Sequence, residues 1–80
     1  MATYKIVCEV ESTAGSLEEV EVRLLGEGFV TPLFSEIEGA LYLFLYRDAE
    51  EIAGAVLPTI TGLRKAGVEA EIIRVERQRG

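Results

Sequence analysis

"ALYLFLYR", residues 40–47, decides how this chain is read. Leu41, Leu43 and Leu45 alternate with Tyr42, Phe44 and Tyr46. In an extended strand, successive side chains point to opposite faces. One face of this strand is therefore leucine and the other aromatic. A core takes the leucines, and the aromatics need a second cover.

The flanking segments follow from that strand. Upstream, "FVTPLFSEIE" (29–38) reads as a strand, and Pro32, which has no N–H to donate, predicts a sheet edge. "EGA" (38–40) turns the chain between the two. A three-residue loop with Gly39 at left-handed angles pairs Ile37 with Leu41. That register sets Leu33 and Ile37 beside the leucines, and Phe34 and Glu36 beside the aromatics. A two-residue loop reverses the assignment, because a one-residue slip moves every side chain to the other face.

Downstream, Asp48 is placed to cap a helix with Glu51 at its third position, and Ile52, Val56, Ile60 and Leu63 form its inward stripe. Pro58 predicts a kink or split near Leu57. Arg64 and Lys65 suit the negative end of the helix dipole, and Gly67 ends the helix. "VEAEIIRVE" (68–76) is the last strand, with residues 76–80 expected to fray. At the other end, "TYKIVCEVE" (3–11) puts Tyr4, Ile6, Cys8 and Val10 on one face and Lys5, Val7, Glu9 and Glu11 on the other. "STAGS" (12–16) breaks that strand, and Ser16 with Glu19 forms a capping box. Leu17, Val20, Leu24 and Leu25 recur at helical spacing until "GEG" (26–28) stops the helix.

The order is strand, helix, strand, strand, helix, strand. Two crossovers flanking a hairpin predict an α+β, ferredoxin-like βαββαβ sandwich, residues 1–80 forming one domain. Right-handed crossovers put both helices on one face of a four-stranded antiparallel sheet, with the first and third strands central. The aromatic face then looks to the side without helices. Val7, Phe34, Tyr42, Phe44, Tyr46, Ile73 and Val75 are the expected interface residues on it. A monomer seldom leaves so large an apolar patch in water. An 80-residue domain also has a marginal core, and its one cysteine permits no internal disulfide. Both arguments predict a homodimer.

Composition excludes several function classes. There is no histidine, so a structural zinc site lacks its usual ligands and the common acid–base pairings are missing. Cys8 lies between Ile6 and Val10 and reads as an inert core thiol. Glu18/Glu19 and Glu50/Glu51 are adjacent in sequence, so they do not face one another across a helix. No enzymatic activity, metal or cofactor is expected. A net charge of −6 opposes binding to nucleic acid or to an anionic membrane. "EGALYLFL" also has a glutamate where an RNA-binding sheet needs a basic residue. The longest apolar run is far too short to cross a bilayer, and "MATYKIVCEVE" lacks the plan of a signal peptide. A lone thiol without a signal predicts a cytoplasmic protein. Abundant Glu and Arg, one Gln and no Asn fit a thermophilic source.

Three family resemblances bear on function. "VESTAGSLEEVEVRLLGEGF" (10–29) resembles the opening of ACT domains, in which a strand and a loop ending near Pro-Gly-x-Leu lead into a helix. Gly15 and Leu17 match that loop, and Ala14 stands in place of the usual proline. ACT domains are regulatory modules that often bind amino acids near this loop at subunit interfaces. The resemblance thus implies a stand-alone ligand-sensing module with Gly15 and Ser16 at an amino-acid site. Free N–H groups at a helix start can hold a carboxylate. The carboxylates of Glu9, Glu11, Glu18 and Glu19 would repel phosphate but could receive an ammonium group. "DAEEIAGAVLPTITGLRKAGVEAEIIRVER" (48–77) is similar to the C-terminal half of the ligand-sensing domain of leucine-responsive regulators, domains that pair through their sheet faces. The element pattern is also similar to that of SPOR domains, which bind peptidoglycan on the sheet after export. A structural or protein-interaction domain using the aromatic face, with no small-molecule ligand, is the alternative.

Overall fold

The computed structural model describes residues 1–79. Its elements are β1 (Ala2–Thr13), α1 (Leu17–Gly26), β2 (Val30–Ile37), β3 (Ala40–Ala49), α2 (Ile52–Lys65) and β4 (Val68–Arg77). The sheet order is β2-β3-β1-β4, antiparallel throughout, which is the ferredoxin-like α+β arrangement. β1 and β3 are central, and Pro32 lies on an edge strand. No helix among the described residues is long and apolar enough to cross a membrane.

The core forms where the strand parities agree. Ile6, Cys8 and Val10 of β1 lie opposite Leu45, Leu43 and Leu41 of β3. Tyr4, Ile6, Cys8, Val10, Leu43 and Leu45 are buried there against Val20 and Leu24 of α1 and Ala55 and Leu63 of α2. α1 starts as expected, with the Ser16–Glu19 capping box complete. Of its expected stripe, Val20 and Leu24 are buried, while Leu17 and Leu25 are exposed.

The hairpin differs from the three-residue expectation. Ile37 pairs with Ala40, so only Glu38 and Gly39 form the turn. Both have positive φ, 51° and 81°, the geometry of a two-residue turn whose twist matches the right-handed twist of its strands. Phe34 therefore lies opposite Leu43 and packs against the core, while Leu33 lies opposite Phe44. Between Val30 and Leu33 an extra residue enters β2, where Thr31 takes φ 47°. The expectation for Phe34 is thus corrected by turn length.

β4 holds a second correction. Ile6 pairs with Val75, Val7 with Arg74, and Cys8 with Ile72, so Ile73 is an extra residue. This bulge switches the strand's parity. Val75 faces the core side, opposite buried Ile6, and not the helix-free face. Ile73 stays exposed. The end of the chain is more ordered than expected: Glu76 and Arg77 belong to β4, and the Gln78 N–H donates to the Thr3 carbonyl at 2.8 Å. Gly80, the last residue of the expected fray, lies outside the described residues.

α2 is rotated relative to its expected stripe. It buries Ala55, Thr59, Gly62 and Leu63, whereas Ile52 is 53% and Ile60 43% exposed. Small residues let the helix approach closely, and the Phe29 ring fills the space above Gly62. The Thr59 hydroxyl donates to the Ala55 carbonyl at 2.7 Å, so the buried group is satisfied. Pro58 sits inside one unbroken helical span. Asp48 remains in β3, where its carboxylate accepts from the Thr3 hydroxyl, and Glu51 is the N-cap residue, without a side-chain cap.

Candidate functional site

Two regions carry the predicted site residues. The first is the loop between β1 and α1. Gly15 takes φ 111°, a conformation that side chains rarely adopt. The loop is tied to the opposite turn: the Ala14 N–H donates to the Gly67 carbonyl at 2.8 Å. Arg23 Nη1 donates to the carbonyls of Ala14 at 2.6 Å and Ala66 at 3.3 Å. Ser16 is engaged on every polar side. Its N–H and hydroxyl donate to Glu19 Oε1 at 3.3 and 3.1 Å, and its Oγ accepts the Glu19 N–H at 3.2 Å. The Ser16 N–H first, and then its hydroxyl, hold the Glu19 carboxyl below the usual carboxylate range, with Arg23 adding to the effect. A carboxylate of the chain itself thus sits at this helix start, where a ligand carboxylate would have to bind.

The second region is the helix-free face of the sheet. Strand pairing sets its residues in rows. Leu33, Phe44, Val7 and Arg74 form the middle row. Val30, Tyr46, Lys5 and Glu76 form one flank, and Ser35, Tyr42, Glu9 and Glu71 the other. The half over β2 and β3 is apolar, and the half over β4 is charged. Leu33 is 58%, Val30 56% and Ile37 50% exposed, while Val7, Tyr42, Phe44 and Tyr46 are half-buried. Lys5 Nζ lies 5.2 Å from the Phe44 ring centroid, a cation–π contact that lays the lysine stem along the aromatic surface. Lys5, Thr31, Leu33, Phe44 and Tyr46 line a depression of about 380 Å³. Arg74 and Glu76 form an ion pair on the rim.

Of the predicted interface residues, Val7, Tyr42, Phe44 and Tyr46 are together on this face, and exposed Ile73 lies at the β4 bulge. Phe34 and Val75 are on the other side of the sheet. Leu33, Val30, Ile37 and Lys5 were missed. The signal for Leu33 and Ile37 was the "EG" pair itself, since two residues ending in glycine suffice for a tight turn, whereas Val30 reaches this face only through the extra residue before Leu33.

Cys8 is fully buried, and burial pushes its thiol up to about 12. Among the described residues, no group of three or more His, Cys, Asp or Glu side chains is arranged to hold a metal ion. Compared with known protein families, with curated proteins and with solved structures, the chain finds no match.

Proposed function

We propose that this protein acts through association, as a homodimeric interaction module joined by its helix-free sheet face. The observation that carries this reading is the row Leu33–Phe44–Val7, continuous and apolar across three strands, with the charged residues Lys5, Glu9, Glu71, Arg74 and Glu76 on β1 and β4. An apolar centre within a charged rim is the usual anatomy of a protein interface. A second copy is the occupant proposed, because it brings the same apolar row to meet this one. Lys5 and Glu9 stand two residues to either side of Val7 on β1. A two-fold axis along the Val7 row sets Phe44 against Phe44 and Lys5 of one copy against Glu9 of the other, while Arg74 meets Arg74 and Glu76 meets Glu71 at the rim, so the apolar centre and not the rim charges holds such a pair.

The test is solution mass by light scattering over a concentration series. The expected result is a dimer that Phe44→Asp converts to a folded monomer. A wild-type monomer, or a Phe44→Asp variant that keeps the dimer mass, overturns the reading. Amino-acid sensing at Gly15 and Ser16, which the ACT resemblance implies, is supported less by this geometry. Such a ligand must displace Glu19 from Ser16, and calorimetry with the common amino acids tests that directly.

A further inference from the structure

The two free edges of the sheet are not equivalent. β2 is interrupted near its start, where Pro32 has no N–H to donate and an extra residue enters at Thr31, and its regular run Leu33–Ile37 ends at the hairpin turn. β4 contains no proline, and among the described residues it pairs only with β1. Its first five residues, the run Val68–Ile72, precede the Ile73 bulge and carry no extra residue themselves; the second irregularity of this pair, the extra Glu11, lies on β1. That run, "VEAEI", alternates apolar and acidic residues. Val68, Ala70 and Ile72 turn toward the helix side, and Glu69 and Glu71 toward the other.

Beside this edge, α2 leaves a groove of about 560 Å³. Ile60, Leu63, Ala70 and Ile72 line it, with Glu11 and Arg64 also contributing to its wall. The groove explains why Ile60 is left exposed on a helix whose small residues face the sheet. An open edge beside an apolar groove is the arrangement by which sheets accept peptides: main-chain bonds give affinity, and alternate side chains give specificity.

We propose that β4 takes up an extended peptide of a partner protein as an additional strand, one whose residues alternate apolar and basic. The apolar side chains enter the groove against Ile60, Leu63 and Ile72. The basic ones stand across from Glu69 and Glu71, where opposite charges on neighbouring strands attract. A second copy of β4 does not meet this requirement. Antiparallel pairing about Ala70 sets Glu69 of each copy against Glu71 of the other, and beyond Ile72 the bulge interrupts the edge. The groove lies on the helix side of the sheet, opposite Phe44, and only Glu69 and Glu71, at the β4 end of the helix-free face, look to the Phe44 side, so the proposal does not need the dimer.

The test uses short labelled peptides, blocked at both ends, read by fluorescence anisotropy on the full chain. The probes are alternating valine and lysine, the same residues in two blocks, and alternating valine and glutamate. The alternating lysine peptide is expected to bind and to slow amide exchange along 68–72. Glu69→Lys with Glu71→Lys is expected to weaken it roughly tenfold and to admit the glutamate peptide. Phe44→Asp is expected to leave peptide binding unchanged even as a monomer, which separates this result from the dimer reading. Absence of binding, equal binding of the block peptide, indifference to the charge reversal, or slowed exchange at Phe44 in place of β4 each overturns the proposal.

Discussion

The Phe29 ring lies directly over Gly62. A Cβ built on Gly62 would stand 2.5 Å from Phe29 Cε2 and 2.8 Å from Cζ. Phe29 cannot easily give way, because it is buried and the Arg47 guanidinium covers its ring at 5.1 Å from the centroid. Gly62→Ala is therefore expected to destabilise the fold by about 1–3 kcal/mol, despite the better helix propensity of alanine. Gly26, at the end of α1, has nothing within 4 Å of such a Cβ. Gly26→Ala is expected to stabilise by up to about 1 kcal/mol. Urea unfolding of the two variants checks the opposite signs.

Glu38 is the strained member of the hairpin turn. It holds φ 51° beside Gly39, although a glutamate has neither the freedom of glycine nor the short side chain of asparagine. Glu38→Asn is expected to raise stability by about 0.5–1 kcal/mol, because Asn-Gly is the preferred pair for this turn. The urea midpoint should rise while the slope of the transition stays constant.

Cys8 should be silent to thiol reagents in the native protein. Its thiol is raised from 9.0 to about 12 by burial, so ionisation is favoured only in the unfolded chain. The sign follows: stability owed to the neutral thiol is complete below pH 9 and declines as pH rises toward 12. Labelling should track unfolding, and Cys8→Val should flatten the alkaline decline. Fast labelling under native conditions would refute the buried assignment.

Glu19 works in the opposite direction. Its carboxyl is depressed, chiefly by the Ser16 N–H, so the stability it contributes is present above the ordinary glutamate pKa. That contribution is lost as pH falls through the lower native value. Titration by carboxyl NMR should show Glu19 ionised at a pH where ordinary glutamates are half protonated, and Glu19→Gln should remove this part of the acid dependence. Ser16→Ala, which deletes the cap oxygen, is expected to cost about 1 kcal/mol at neutral pH.

The element order, the central strands, the capping box and the leucine and aromatic faces of β3 were all determined by the sequence itself. Each rests on local periodicity or local capping, which neighbouring residues decide among themselves. The identity of the residues sharing the Phe44 face was not local. A two-residue turn moved Leu33 onto that face and Phe34 off it, and the single extra residue at Ile73 moved Val75 to the core. Side-chain direction alternates with every residue, so one inserted residue reverses everything beyond it. The inward face of α2 was likewise a tertiary decision. Its apolar residues allow more than one inward stripe, and the close approach of Phe29 to Gly62 selected the small-residue face, leaving Ile60 beside the β4 edge.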